Sequence, residues 1–268
     1  LRAAIVEYGC LLVRDAIDAV TVRRLTDGID AAFAAHDVRA AGDGSTVQEG
    51  AALPFAPEER SWWYRPFDFS RIARDSGRAW KQGTRRWVRA GGGVLLCDSP
   101  RMLYDVLDLY ESLGLRSLIG EYLGTRPVLS ANKCTLRRVP TSASGGWHQD
   151  GAFLGRGIRA MNVWLALTPC GVDAPGLDIV PRRFDGIVET GTAGSYFTWA
   201  AGDEAVAGAA GGAAVVRPEF RAGDMLLFDD LLMHRTAVNP AMTRERHAIE
   251  FWCFAGGAYP PDEIPLVW

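Results

Sequence analysis

The chain has 268 residues, of which 48% are hydrophobic and 23% charged, with a net charge of −3. That length supports a well-buried core in one domain spanning residues 1–268, and the balance is that of an ordinary soluble globular protein. The absence of dense Lys or Arg runs argues against a nucleic-acid partner. The five cysteines are scattered, odd in number and without a C-x-x-C pair. They read as buried reduced thiols rather than a disulfide framework or a cysteine zinc site. The most apolar run, Ala205 to Val216, falls short of the roughly 20 residues a membrane span needs. No secretory leader is legible from Leu1 onward, so the expected location is cytoplasmic.

In chain order, Tyr8 to Val13 reads as a short buried strand after a helix fragment. A helix is predicted from near Asp18 to Ala35, with Val22, Leu25, Ile29 and Phe33 on one face. His36 falls at its end as a solvated residue. From Ala40 to Pro57 glycine, alanine and proline recur without periodicity, which reads as a loop. The aromatic run that follows, with Trp62, Trp63, Tyr64 and Phe67, reads either as a loop packed on the core or as one wall of a substrate pocket. Ser99-Pro100 is a helix start, Ser as N-cap and Pro at the first helical position. Met102, Val106, Leu107 and Tyr110 share one apolar face, and Leu115, Leu118, Ile119 and Tyr122 another, before a stop at Gly124.

Beyond Pro127 helical periodicity gives way to short strand-like runs. These are Val128–Val139, Ile158–Leu167, Leu177–Pro181, Ala213–Arg217, Asp224–Phe228 and His247–Phe254, with turns at 173–176 and 221–224. Such spacing predicts an antiparallel sandwich or barrel behind a helical N-terminal layer, a mostly β, α+β architecture. The Gly/Ala-rich segment 191–212 reads as an insertion between strands, either a mobile lid or a surface loop.

Two residues apart in Trp147-His148-Gln149-Asp150-Gly151, His148 and Asp150 point to one face of an extended strand and can grip one cation. His234, just past an apolar strand, supplies a second distant imidazole. One His beside a carboxylate plus one distant His is the ligand set of a facial triad on octahedral Fe(II), with three positions left open. Arg246, twelve residues after His234, begins another strand-like run and can take a carboxylate bidentately. Arg244 lies at nearly the same distance and on the same side of an alternating strand, so parity leaves both open. The neighbouring acidic pair Asp229–Asp230 reads as solvated or turn-forming, and His247 as structural.

The segments Trp147–Gly151, Pro175–Pro181, Gly223–His234 and Arg246–Ala248 together resemble the phytanoyl-CoA dioxygenase family, a branch of the Fe(II)/2-oxoglutarate-dependent oxygenases. The resemblance runs from about Tyr8 to Phe254. It implies a double-stranded β-helix (jelly roll) with N-terminal helices packed on the major sheet. It also implies Fe(II) on His148, Asp150 and His234, with 2-oxoglutarate and O2 as cosubstrates. By the same resemblance Arg246 binds the far carboxylate of 2-oxoglutarate, Thr236 adds a hydroxyl, and Thr135 and Trp164 match cosubstrate-contacting positions. Arg182-Arg183 departs from the family's common Gly-Ser-His, and stands either toward an anionic substrate or on the surface.

The implied reaction is hydroxylation of an unactivated C–H bond of a small organic molecule, with release of succinate and CO2. Desaturation, epoxidation or rearrangement, as in natural-product biosynthesis, are open to the same chemistry. Related halogenases replace the carboxylate of the triad with a small residue, so Asp150 disfavours halogenation. Two rivals stand beside this reading: a zinc hydrolase on the same three ligands, which gives Arg246 no role, and a non-catalytic metal- or 2-oxoglutarate-binding relative.

Overall fold

A computed structural model describes residues 1–41, 62–78, 81, 83–143, 145–155 and 157–268. The loop expected at 40–57 lies outside the described residues from position 42 onward. The first half carries α1 (Arg2–Tyr8), β1 (Cys10–Val13), α2 (Ala19–Ala41), α3 (Phe69–Ser76), α4 (Thr84–Ala90) and β2 (Gly93–Leu95). Next come α5 (Pro100–Ser112), α6 (Leu115–Leu123), β3 (Pro127–Ser130), β4 (Thr135–Val139), a short α7 (Gly151–Leu154) and β5 (Ala160–Ala166). The remainder holds β6 (Gly176–Ile179), α8 (Asp203–Ala210), β7 (Met225–Asp229), β8 (His234–Ala237), β9 (Arg246–Ala255) and β10 (Pro265–Val267).

β9 organises the larger sheet. One edge pairs with β5 along most of its length, and the other pairs with β4 over its first half and β3 over its second. The order runs β1-β7-β5-β9-β3-β10, with β4 joining β9 to β2. Paired residues on neighbouring antiparallel strands share a face, so the register sorts this sheet into two surfaces. Ile249, Phe251 and Cys253 of β9, with Met161, Val163 and Leu165 of β5 and Leu227 of β7, join the cluster that buries Leu25, Ile29, Val106, Tyr110 and Ile119 of the helices. The helical layer therefore seals one surface, and β5 can be buried along its whole length because both of its faces are covered.

The opposite surface faces the smaller sheet, β6 paired with β8. Isolated bridges extend it, through His148 to His234 on one side and Ile179 to Val216 on the other. Two antiparallel sheets facing each other, with N-terminal helices on the larger, are the expected jelly roll.

Details differ from expectation for local reasons. The run Val128–Val139 is two strands broken by a turn at 131–134, which lets β3 and β4 meet different halves of β9. Ala213–Arg217 forms one bridge rather than a strand. The first long helix runs on to Ala41, so His36 sits within it, half-buried, with Nδ1 2.9 Å from Asp37 and its ring edge-on to Tyr64. Ser99 precedes α5 with Pro100 in the first turn, yet its side chain makes no capping bond. The glycine of the turn at 221–224 is required: Gly223 has φ +97, and a Cβ there would lie 2.6 Å from the Ile17 carbonyl. All five cysteines are free and buried.

Candidate metal centre

Across the inner surface of the larger sheet the register defines rows of side chains. Phe228, Asn162 and Trp252 form one row. The next holds Leu226, Trp164, Glu250 and Thr135, and the one after it Ala166, Ala248 and Arg137. Arg246 and Val139 close the series.

Above the first row the smaller sheet brings together His148, Asp150 and His234. Among the described residues these are the one group of three or more His, Cys, Asp or Glu able to share a cation, one ligand atom from each lying within 4.8 Å of the others. His148 and His234 exchange backbone hydrogen bonds at 2.9 and 3.0 Å, which fixes their side chains beside each other, ring centres 4.3 Å apart. Each Nδ1 lies beside a backbone carbonyl, Gly146 at 2.8 Å and Leu232 at 3.0 Å. A carbonyl only accepts, so each Nδ1 carries the proton and each Nε2 presents its lone pair inward. Both Nε2 atoms face Asp150 Oδ1, at 3.6 and 3.8 Å.

Burial holds both imidazoles neutral. His148 is pulled down to about 4 by desolvation and by the neighbouring His234, and His234 is lowered by desolvation. Desolvation pushes Asp150 up to about 7, against the pull of His148 and a hydrogen bond from Asn162. Two neutral nitrogen donors and a buried carboxylate that lacks a permanent counter-ion suit a divalent cation, which supplies the missing positive charge. Gly151 lies close against its neighbours here. Its N–H donates to the Asp230 carbonyl at 2.8 Å, and a Cβ would lie 2.8 Å from the Ile187 side chain.

Arg246 is fully buried, and its guanidinium lies over the Trp164 ring, 5.2 Å from the centroid. One nitrogen donates to the carbonyls of Pro175 and Gly176 at 3.3 and 3.0 Å. Its Nε and the Nε1 of Trp164 have no hydrogen-bond partner, and no carboxylate of the described residues forms an ion pair with Arg246. Desolvation lowers it to about 10. Arg244 is different: its side chain is 55% exposed and paired with Asp173 at 2.9 Å. Thr236, two residues beyond His234 in β8, shares the inner face of that strand by alternation.

Thr135 is buried on the inner surface, where its hydroxyl donates to Glu250 at 3.0 Å. Sequence reading missed Glu250, which also pairs with Arg137 at 3.3 Å and whose charge acts on all three triad residues and on Arg246. The signal was available as parity, since Glu250 is four residues after Arg246 on one strand.

Trp62, Trp63, Tyr64 and Phe67 sit with the helical layer. Trp63 and Tyr64 pack against its cluster, while Trp62 and Phe67 are exposed. The rings beside the triad come from elsewhere. Trp199, in the segment read as an insertion, meets His148 edge-on at 5.4 Å and Phe153 at 5.1 Å, and Phe197 stacks on it at 4.6 Å.

The acidic pair Asp229–Asp230 forms a turn, the Leu231 N–H donating to Asp229 Oδ1 at 3.1 Å, but neither it nor Arg182-Arg183 is merely a solvated surface pair. Asp229 is buried, accepting from the Tyr122 hydroxyl at 2.9 Å and ion-paired with Arg183. Asp230 accepts from the Ala160 N–H at 3.2 Å, where burial lifts its carboxyl to about 6. Arg182 donates to the Ala209 and Ala210 carbonyls at the end of α8, both at 3.1 Å, so both arginines hold the fold together. His247 points away from the triad, Nε2 lying 3.0 Å from Asp30.

A jelly roll with a His-Asp-His cluster facing its larger sheet defines a non-haem metal oxygenase architecture. Residues 116–248 match the family model described as phytanoyl-CoA dioxygenase. The chain belongs to the phytanoyl-CoA dioxygenase family of Fe(II)/2-oxoglutarate-dependent oxygenases. No curated protein matches it. Among solved structures it is similar to EctD from S. alaskensis with 2-oxoglutarate and 5-hydroxyectoine, at 19% identity over 98% of this chain and 78% of that one, TM-score 0.60. AviO1 from Streptomyces viridochromogenes Tue57 aligns at 16% identity over 97% of this chain and 95% of that one, TM-score 0.55. At such identities the likeness speaks for the fold.

Proposed function

We propose that the chain acts as one Fe(II)/2-oxoglutarate-dependent dioxygenase domain that hydroxylates an unactivated C–H bond of a small organic molecule. The observation that carries this reading is Arg246: a fully buried guanidinium with an unpartnered Nε and no carboxylate partner among the described residues. Burying an uncompensated charge is costly, and a dianionic cosubstrate reaching down from the triad relieves that cost. A zinc hydrolase has no use for such a residue.

In this reading His148, Asp150 and His234 hold Fe(II), and Arg246 takes the far carboxylate of 2-oxoglutarate, with the Thr236 hydroxyl beside it. Trp164 fixes the guanidinium plane by lying under it, and its free N–H is a further donor. Bound together, iron, 2-oxoglutarate and O2 supply an oxidant strong enough for C–H bonds, with succinate and CO2 as coproducts. The chain's own task is to orient and to exclude water, which the enclosing sheets and the rings of Phe153, Phe197 and Trp199 provide. Five buried free thiols favour a reducing, cytoplasmic location.

Anaerobic titration with Fe(II) and 2-oxoglutarate tests this through the weak visible metal-to-ligand charge-transfer band. The band is expected in wild type and lost in His234→Ala. A folded wild-type protein that gives no band while binding zinc overturns the assignment in favour of the hydrolase.

A further inference from the structure

The row nearest the triad carries two buried polar atoms that satisfy nothing. Asn162 is 5% exposed and Trp252 7%. They stand directly opposite each other on β5 and β9. Asn162 directs its amide toward Asp150, which leaves its Oδ1 as an unpartnered acceptor, and Trp252 Nε1 is an unpartnered donor. A buried polar group left without a partner is costly, so a complementary acceptor and donor on facing residues are the imprint of a ligand.

That ligand is not 2-oxoglutarate. Trp252 lies six residues beyond Arg246 on the same strand and the same face, about 20 Å along at roughly 3.3 Å per residue. The Arg246 side chain reaches back only as far as Trp164, one row short. The cosubstrate therefore extends from the triad toward Arg246, and its far carboxylate points away from the Asn162–Trp252 row.

The walls say what else the ligand is. Phe153 meets Trp252 at 5.9 Å and Trp199 at 5.1 Å. Lys133, whose ammonium lies 4.7 Å from the Phe153 ring centre, is paired with buried Glu263 at 3.7 Å, so its charge is already balanced. We propose that Asn162 and Trp252 are the substrate-recognition pair of this enzyme. They take a neutral group that both donates and accepts, an amide or lactam, on a molecule whose body is a flat apolar ring. The amide N–H donates to Asn162 Oδ1 and its carbonyl accepts from Trp252 Nε1, beneath the Phe153–Trp199 edge. The assignment rests on the oxygenase reading for the metal and cosubstrate.

The test uses three probes sharing one phenyl ring: phenylacetamide, phenylacetate and ethylbenzene. Binding is followed by ligand-observed NMR on protein loaded with 2-oxoglutarate and with Zn(II) in place of Fe(II), so that no turnover consumes them. Wild type is expected to hold phenylacetamide at least about fivefold tighter than either other probe, the effect of one to two net hydrogen bonds. Trp252→Phe keeps one aromatic ring and removes the N–H together with the rest of the indole, and Asn162→Leu removes the acceptor. Each is expected to erase the amide preference. Equal binding of the three probes, no binding of phenylacetamide, or a preference that survives in Trp252→Phe overturns the proposal. Loss of 2-oxoglutarate binding in wild type, read in the same samples, sinks the oxygenase reading instead.

Discussion

His148 and His234 form a directly opposed antiparallel pair, each donating its backbone N–H to the other's carbonyl, at 2.9 and 3.0 Å. Their imidazoles are thereby fixed side by side, and each Nδ1 is tied to the carbonyl two residues before it. The ligand nitrogens are preorganised, so a metal meets little ordering cost. Anaerobic Fe(II) at a hundredfold excess over its dissociation constant is expected to raise stability by about 2.7 kcal/mol. Calorimetry should show that gain in wild type and none in His234→Ala. An equal gain in the variant removes His234 from the ligand set.

Arg246 and Arg244 could not be separated by strand parity, but burial separates them. Arg246→Ala is expected to weaken 2-oxoglutarate binding by about a hundredfold or more, the cost of truncating one side of a buried charge pair. Arg246→Lys should recover only part of it, since an ammonium lacks the planar fork. Arg244→Ala, which loses a surface pair with Asp173, should leave the affinity within about twofold. Thr135 already donates to Glu250, so Thr135→Val should weaken cosubstrate binding far less than Arg246→Ala. Isothermal titration under nitrogen reads all four, and a large loss in Arg244→Ala would reverse the assignment.

The sequence carried the triad because metal chemistry restricts residue type: few side chains can replace His148, Asp150 or His234. It carried the strands around β5, β7 and β9 because apolar residues dominate them, polar side chains such as Asn162, Glu250 and Arg246 being few. Asn162 and Trp252 were not legible, since each matters through its partner across a strand pair, and register is set by tertiary packing; Glu250 was legible only through its parity with Arg246. Trp62 to Phe67 left two readings open for the same reason: a ring-rich stretch suits a pocket wall or packing on helices, and Trp63 and Tyr64 follow the second. Trp199 was hidden in a Gly/Ala-rich segment whose composition reads as loop, though the segment contains α8 and a ring against His148.

Asp229 helps form a turn, as an acidic pair commonly does, but it is buried rather than solvated. Its side chain is 3% exposed and bound to both Arg183 and Tyr122. Truncating one member of such a pair leaves an uncompensated charge, so Asp229→Ala is expected to destabilise by about 3 kcal/mol or more. The double variant with Arg183→Met should cost less than the sum of the two singles, because the stranded guanidinium is then removed as well. Urea unfolding measures both. Simple additivity would mean that the two side chains act independently.

Asp230 makes stability depend on pH in the direction opposite to most carboxylates. Burial lifts its carboxyl from 3.8 to about 6, beyond what the Ala160 N–H offsets. A group that holds its proton more tightly folded than unfolded contributes fully below the unfolded value, and that contribution fades as pH rises through about 6. The full effect of a shift this size is about 3 kcal/mol. Asp230→Asn keeps a neutral side chain with an oxygen for the Ala160 N–H and has no proton to lose. The stability of the variant relative to wild type should therefore climb between pH 4 and pH 6.5 and level off above it. Urea melts of the two proteins at pH 4.5 and 7.5 cancel every other titrating group. A difference that stays flat with pH would mean that water reaches Asp230 and that its burial contributes nothing.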